Sequence, residues 1–286
     1  MELAVRDGDS SVYPASSANG ERYQWGLDRF IAEARTLAKF KHPAIVRVLS
    51  VFEDNNTAYM VMEYELGQSL QQVLDGRKTL GEDDLIPIMA PLLDGLEMIH
   101  ATGFIHRDVK PANIYIWEDG SPVLLDFGSA RQALGGQTKS LTSIVSPGYA
   151  PFEQYYSNGD RQGPWTDIYS LAATMYRAIS GIMPMDAIDR SEAILKAERD
   201  IFVSVGEIGH GRYSPEFMRA LDHALSPLPN GVTNLAYRRT TLDQFRAPPA
   251  AHWIVKRDSS FSRRGRLMRS LLSSQSRQCQ VCETSM

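Results

Sequence analysis

Apolar and polar positions follow two different periods along the first part of the chain. From Trp25 to Lys41 the apolar residues recur at helical spacing, and His42-Pro43 is a typical stop for such a helix. The next two runs, AIVRVLSVFED and TAYMVMEYE, are separated by NN and predict a β-hairpin. Residues 1–23 are polar and rich in Ser and Gly without a clear period, so we expect a loop-like segment there.

The rest of the chain favours helices. An apolar stripe predicts a long helix over about 82–101, although Pro91 inside it should kink the helix or cost about 3 kcal/mol. Two short strands, NIYIW and PVLLD, follow, and then a long Gly/Ser/Thr-rich loop over 126–153. DIYSLAATMYRAIS predicts a buried helix, and weaker helices are expected near 192–199, 215–225 and 240–246. The pattern indicates an α+β protein with a small part of strands and one helix and a larger helical part.

Composition is that of a soluble domain. The 286 residues are 43% hydrophobic and carry a formal net charge of −4, which gives no reason to expect nucleic acid as a partner. No apolar run is long enough to span a bilayer and the start has no signal-peptide pattern, so we expect a cytoplasmic protein without a transmembrane segment. Residues 248–286 form a basic Ser/Arg-rich tail that we expect to be disordered, and Cys279 and Cys282 in it are expected to be free thiols.

One short stretch carries the chemistry. HRDVKPAN at 106–113 lies between apolar runs, and DFG follows at 126–128. Moving the γ-phosphoryl group of ATP to a hydroxyl needs a carboxylate to orient the hydroxyl, a cation near the phosphate and oxygen ligands for Mg²⁺. Asp108 suits the carboxylate, Lys110 the cation, and Asn113 and Asp126 the metal ligands.

This combination resembles the signature of eukaryotic-type protein kinases. The chain is similar to bacterial serine/threonine protein kinases over about 24–247. The resemblance implies a two-lobe fold, with a partial small lobe over 24–66 and a mainly helical large lobe over 67–247. It also implies ATP and Mg²⁺ as ligands and proteins carrying Ser or Thr as substrates.

The resemblance assigns roles around the base. Asp108 matches the catalytic base, Lys110 the phosphate-contacting lysine, and Asn113 and Asp126 the metal ligands. Arg107 resembles the arginine that pairs with a phosphorylated activation loop, which implies self-association for trans-autophosphorylation. The candidate acceptors in that loop are Thr138, Ser140, Thr142 and Ser143.

Further matches lie on either side of the base. Ser146 occupies the hydroxyl position beside it, and Asp167 resembles the aspartate that holds the catalytic loop. Glu153 should pair with an arginine, for which Arg238 is the candidate. In the small lobe Met62 would guard the adenine pocket, Glu63 and Glu65 would offer backbone groups to adenine, and Glu33 would clamp a lysine from the third strand.

That lysine and the Gly-rich loop of the family do not precede Glu33. The first lysine of the chain is Lys39, and the upstream glycines Gly8, Gly20 and Gly26 are isolated. We expect the missing strands to be encoded upstream of Met1. Without them the sheet of the small lobe shrinks to one hairpin with an unpaired edge.

Three functions therefore stay open. The first is a serine/threonine protein kinase, and the second is a truncated or pseudokinase-like binding module without phosphotransfer activity. The third is a phosphotransferase for small molecules such as choline or aminoglycosides. Members of that third class are not expected to carry Lys110 or the SPGYAPFE segment.

Overall fold

The computed structural model describes residues 4–8, 11–64, 66–127, 145–156, 162–196 and 200–226, together with the backbone of 131–132 and 280–283. Several predicted features lie outside the described residues: Glu65, the acceptor candidates over 138–143, Arg238, the helix near 240–246 and Cys279. In chain order the elements are β1 (Ala4–Arg6), β2 (Val12–Pro14), α1 (Gly20–Leu37), β3 (Val48–Asp54), β4 (Thr57–Met62), β5 (Gly67–Ser69), α2 (Leu70–Arg77), α3 (Glu82–His100), β6 (Phe104–Ile105), β7 (Ile114–Trp117), β8 (Pro122–Leu124), β9 (Arg131–Gln132), α4 (Pro164–Ser180), α5 (Ala187–Leu195), α6 (Val205–Ile208), α7 (Pro215–Ala224) and β10 (Gln280–Glu283).

The N-terminal segment is not the loop that its composition suggested. β1 and β2 form an antiparallel pair, with Val5 opposite Tyr13, and α1 begins at Gly20 rather than at Trp25. The pair is held by the β3–β4 turn, because the Val12 N–H donates to the Asn55 carbonyl and the Asn56 amide donates to the Val12 carbonyl. A long-range partner of this kind is invisible to local periodicity, which explains the wrong expectation.

The predicted hairpin is confirmed as β3 and β4. Asn55 and Asn56 connect the strands with φ of 51° and 56°, the left-handed conformation that two-residue hairpin loops need. The outer edge of β4 is paired with β10, so the sheet has the order β10-β4-β3. This corrects two expectations, since the edge is not left open and residues 280–283 of the tail form a strand.

Two buried helices, α3 and α4, form the core of the larger, helical part of the chain. α3 buries the predicted stripe, including Leu85, Leu92, Leu96 and Ile99, and α4 is buried over most of its surface. α3 continues through Pro87 and Pro91 without ending, so the neighbouring packing offsets the missing hydrogen bonds. No helix in the described part of the chain is long and apolar enough to cross a membrane.

A small sheet of order β5-β7-β8 lies against this helical core and frames the HRDVKPAN stretch. Leu124 at the end of β8 is fully buried and connects to the hairpin segment through a parallel bridge with Ile45. The core is continuous from Leu37 in α1 to Leu225 after α7. The HRDVKPAN stretch, which ends where β7 begins, therefore lies against the small sheet and the buried helical core.

Candidate active site

The HRDVKPAN stretch connects β6 to β7 and ends in a single 3₁₀ turn over Pro111–Asn113. Asp126 follows β8, the neighbour of β7 in the sheet. The Leu125 N–H donates a 2.8 Å hydrogen bond to the Asn113 carbonyl, so the segments that carry the two predicted metal ligands are joined directly. Asn113 is buried and Asp126 is exposed, with a φ of 54°.

The carboxylate of Asp108 is the centre of a hydrogen-bond network. Lys110 Nζ and the Asn113 amide nitrogen donate to Asp108 Oδ2 at 2.7 Å and 2.8 Å. Ser146 Oγ donates to Asp108 Oδ1 at 2.7 Å and accepts a 3.0 Å hydrogen bond from Lys110 Nζ. The structure thus brings together four of the predicted site residues, from segments far apart in the sequence.

Asp167 holds the backbone of the two residues before Asp108. Its side chain is fully buried, and its two oxygens accept hydrogen bonds from the N–H groups of His106 and Arg107 at 2.9 Å and 2.7 Å. His100 Nε2 lies 2.6 Å from Asp167 Oδ2 and supplies a third hydrogen bond. Burial alone raises the pKa of the Asp167 carboxyl, but the hydrogen bond from His100 and the other groups around it hold that pKa below its usual value.

Arg107 is the strained residue of this loop. Its φ of 71° lies in the left-handed region, which residues other than glycine adopt at a cost of about 1–3 kcal/mol. The hydrogen bond from its N–H to Asp167 and one from Gln154 Nε2 to its carbonyl, 2.7 Å long, fix both of its peptide groups. These contacts determine the direction in which the side chain of the next residue, Asp108, points.

His106 is buried between Asp108 and Phe127. Nε2 lies 2.9 Å from the Leu125 carbonyl and must donate, whereas Nδ1 accepts the Asp108 N–H at 3.2 Å. One donor and one acceptor describe a neutral imidazole. Consistently, burial lowers the pKa of the His106 ring, although Asp167 acts in the opposite direction. The ring also packs edge-on against Phe127, at 4.4 Å between centroids.

The segment 145–156 places Ser146 beside Asp108. A tight turn follows Ser146, because its carbonyl accepts the N–H groups of Tyr149 and Ala150. Gly148 in that turn has a φ of 80°, and a Cβ there would lie 2.6 Å from the Pro184 carbonyl oxygen, so only glycine fits. This turn and the Gln154 contact fix the segment against the loop of Asp108.

Glu153 is buried and accepts a 3.2 Å hydrogen bond from Thr166 Oγ1 at the start of α4. The predicted partner Arg238 lies outside the described residues. The pairing of the two therefore remains a prediction. What the structure adds is the attachment of Glu153 to α4, the helix that also carries Asp167.

A small cavity of about 60 Å³ lies beside Met62 and Glu63, and it is lined mainly by apolar surface. Tyr115 of β7 and Leu125 after β8 form part of its wall. The Glu63 N–H already donates to the Arg47 carbonyl at 2.9 Å, so the predicted contact of Glu63 with adenine is left to its carbonyl oxygen. Glu33 lies half-buried on α1, and its lysine clamp stays a prediction.

Sequence reasoning missed two residues that position the site, His100 and Gln154. His100 is the last residue of α3 and reaches Asp167 across 67 residues of sequence. Gln154 reaches Arg107 across 47 residues. For His100 the only signal was a polar residue beside the apolar stripe of α3, which more often marks a solvated helix end.

Comparisons with known proteins agree on the family. A family model described as protein kinase domain matches residues 12–244. The probable serine/threonine-protein kinase PknB of Lactococcus lactis is 30% identical over 73% of this chain, and serine/threonine-protein kinase F of Synechocystis is 32% identical over 62%. The chain covers 32% and 38% of the length of these two curated relatives.

A solved structure gives the same result for the fold. The chain titled PpkA-294 apo form superposes with a TM-score of 0.70 and 36% sequence identity, covering 85% of this chain and 82% of that one. The predicted α+β fold with two lobes of the kinase type is confirmed. The chain belongs to the protein kinase domain family.

Proposed function

We propose that this chain transfers the γ-phosphoryl group of ATP to serine or threonine hydroxyls of proteins, with Asp108 as the base. The observation that carries the proposal is the 2.7 Å hydrogen bond from Ser146 Oγ to Asp108 Oδ1. This contact supports the proposal, because its donor is a serine hydroxyl and its acceptor is the Asp108 carboxylate. A substrate hydroxyl held in the same way would be oriented for attack and could pass its proton to Asp108.

Lys110 supports this role through charge. Its ammonium group contacts both Asp108 Oδ2 and Ser146 Oγ, so a positive charge lies within hydrogen-bond distance of the base and of a hydroxyl next to it. A phosphoryl group approaching that hydroxyl would meet the same cation. Stabilising charge in this way is the main contribution that a protein makes to phosphoryl transfer.

Asn113 and Asp126 fit a magnesium ion. The described residues contain no group of three or more His, Cys, Asp or Glu that could hold a metal, but Mg²⁺ usually takes one or two protein ligands and completes its shell with phosphate and water. The Asn113 nitrogen donates to Asp108, which leaves the amide oxygen as the metal-facing end. When bound, Mg²⁺ would neutralise negative charge on the phosphates.

The cavity beside Met62 is the proposed adenine site. Its apolar wall suits the face of a flat aromatic base, and the Glu63 carbonyl can accept a hydrogen bond from an exocyclic amino group. Met62 would limit the depth of the pocket. The predicted backbone contacts of Glu65 lie outside the described residues and remain part of the proposal.

The second candidate function is a binding module of the kinase fold without transfer activity. Its basis is that the given residues before Glu33 contain no lysine, whereas the kinase resemblance implies a phosphate-anchoring lysine at that place. The complete network around Asp108 favours the kinase instead. Lys110 also disfavours a small-molecule phosphotransferase, because enzymes of that class are not expected to have a lysine at this position.

The test is transfer of labelled γ-phosphate from Mg·ATP to a generic basic protein and to the chain itself. Asp108→Asn is the control, because it keeps the size of the side chain and removes the base. We expect incorporation that falls at least 100-fold in the variant. Incorporation no higher than in Asp108→Asn, from protein whose thermal unfolding is normal, would support the binding module.

A further inference from the structure

We propose that Arg177 and Tyr149 form a subsite for an anionic side chain of the protein substrate, a carboxylate or a phosphate, a few residues from the serine or threonine that receives the phosphoryl group. The inference rests on the proposed kinase function and adds to it the class of sequence that the site selects. Arg177 lies in the last turn of α4, and Tyr149 lies in the turn that follows Ser146.

Tyr149 has a buried hydroxyl without a protein partner. Only 6% of the residue is exposed, and no described residue forms a hydrogen bond with its hydroxyl oxygen. A buried hydroxyl is usually hydrogen-bonded, because leaving it unpaired destabilises the folded chain. An exception so close to the Asp108 network therefore points to a ligand rather than to packing.

Arg177 has the same property and carries a positive charge. The residue is half-buried, and its Nη1 atom is enclosed without a hydrogen-bond partner in the part of the chain that the structure describes. The ion pairs between described residues do not include Arg177 either. A guanidinium group withdrawn from water needs a compensating anion, and its planar set of donors matches a carboxylate or a phosphate. The unmet donor of Arg177 thus indicates a negatively charged ligand.

The two side chains are neighbours. Burial raises the pKa of the Tyr149 hydroxyl, and the positive charge of Arg177 acts against this rise, which requires the charge to lie close to the hydroxyl. The backbone also brings the two segments together, because a Cβ at Gly148 would lie 2.6 Å from the carbonyl oxygen of Pro184, shortly after the end of α4. One anion could therefore accept hydrogen bonds from both side chains.

The subsite lies beside the position where a hydroxyl meets Asp108. The Tyr149 N–H donates to the Ser146 carbonyl, a turn contact that keeps the Cα atoms of these two residues within about 7 Å. Ser146 Oγ in turn donates to Asp108 Oδ1. Because an extended peptide advances about 3.3 Å per residue, the anionic side chain should lie about two to four residues from the acceptor.

A movable side chain borders this region. Met183 is 59% exposed, and its Cγ would lie 3.3 Å from a Cβ at Gly148. Methionine is flexible and adapts to a changing neighbour. We therefore expect an arriving substrate to displace Met183 rather than a residue of the core.

The test is phosphate transfer to synthetic peptides by the full chain, after a phosphatase has removed its own phosphates and has itself been removed. Each peptide carries one serine acceptor and one glutamate, at a position between four residues before and four residues after the serine, and a matched peptide carries glutamine there. We expect one position at which glutamate raises kcat/KM about 10-fold over glutamine, since a charge-assisted hydrogen bond contributes about that factor. A larger gain with phosphoserine at the same position would assign the subsite to phosphate, and a smaller one to a carboxylate.

The variants should change the preference and not only the rate. Arg177→Gln should bring the ratio of glutamate to glutamine peptide close to equality, and Arg177→Glu should favour a lysine peptide instead. Tyr149→Phe removes only the hydroxyl, so we expect a smaller loss of preference and an unchanged urea midpoint. Arg219→Gln is the matched control, because Arg219 is exposed on α7 and pairs with Glu216 at the surface, and it should keep the full preference.

Binding without ATP separates this inference from the proposed function. Fluorescence anisotropy measures the affinity of labelled glutamate and glutamine peptides for the same variants of the full chain. A binding preference for glutamate that Arg177→Gln removes would support the subsite even if no phosphate were transferred. Transfer without a glutamate preference, or with an equal preference in the parent chain and in Arg177→Gln, would overturn the subsite and leave the kinase proposal standing. Absence of both transfer and a binding preference would overturn both.

Discussion

The backbone N–H of Arg107 donates a 2.7 Å hydrogen bond to Oδ1 of Asp167, 60 residues further along the chain. Asp167 belongs to the buried helix α4, and Arg107 belongs to the loop that carries Asp108. The contact holds Arg107 in the left-handed conformation and so fixes where Asp108 points. A buried carboxylate that is distant in sequence thus determines the backbone conformation next to Asp108.

Asp167→Asn should strongly destabilise the protein. The amide nitrogen would face groups that already donate to Asp167, namely His100 and the N–H of His106 or Arg107. Breaking a buried charged network costs about 3 kcal/mol or more. Urea denaturation measures this loss in the free energy of unfolding.

Asp75→Asn is the matched control for this variant, because Asp75 is exposed and accepts one hydrogen bond from Gln71. We expect a change below about 0.5 kcal/mol there. Similar unfolding midpoints for the two variants would show that Asp167 does not hold the loop.

Stability should fall as the pH drops below the usual pKa of histidine. The pKa of His106 is lowered from 6.5 in the folded state, so the unfolded chain binds the extra proton first. The contribution of His106 is complete above pH 6.5 and is lost as the pH falls through its folded pKa, with a slope of up to about 1.4 kcal/mol per pH unit.

Urea unfolding at pH 8, 6.5 and 5 tests this dependence. The pKa of Asp167 is also lowered, from 3.8, but its contribution is lost only below that value and so outside this range. His106→Gln should flatten the slope between pH 6.5 and 5, whereas the exposed His210→Gln should retain it. Equal slopes for the two variants would assign the effect to another group.

Under the proposed kinase function, Ser146→Ala should slow phosphate transfer by about 100-fold, since one hydrogen-bonding group positioned at a site is worth about that much. The variant removes the hydroxyl that links Asp108 to Lys110. Ser146→Thr retains the hydroxyl and should keep most of the activity. Thermal unfolding of both should match the parent chain, and full activity of Ser146→Ala would exclude a positioning role for the hydroxyl.

Pro87→Ala should stabilise the chain. Pro87 lies away from both ends of α3 and is exposed to solvent. Proline has no backbone N–H, so Pro87 cannot donate to the carbonyl of Asp83, one helical turn earlier. Alanine supplies the missing hydrogen bond without loss of packing, so we expect the free energy of unfolding to rise by about 1–3 kcal/mol. Ala90→Gly, at an exposed position of the same helix, should lower it by about 1 kcal/mol. A decrease for Pro87→Ala would mean that the proline fixes a bend that the fold requires.

The sequence predicted those helices and turns whose pattern of residues lies within a short window of the chain. The apolar stripes of α3 and α4 and the turn at Asn55–Asn56 each lie within a short window of sequence. The candidate site was also predictable, because its motif places Asp108, Lys110 and Asn113 in one loop. In each case the residues that interact are neighbours in the chain.

The features that the sequence did not reveal depend on distant partners. β10 becomes a strand only because β4 offers it an edge more than 200 residues earlier in the chain, and β2 is held by the β3–β4 turn. The same is true of His100 and Gln154, whose polar groups find their partners across the fold. A polar side chain in isolation gives no sign of which backbone group it will meet.

Most hydrogen-bond acceptor positions of the Asp108 carboxylate are already occupied. A carboxylate has about four positions at which it can accept a hydrogen bond, and Ser146, Lys110 and Asn113 occupy three of them. About one position is left for an incoming hydroxyl. A stray water molecule would compete for that single position without the binding energy of a protein substrate. Under the proposed kinase function, the arrangement should therefore disfavour transfer of the phosphoryl group of ATP to water.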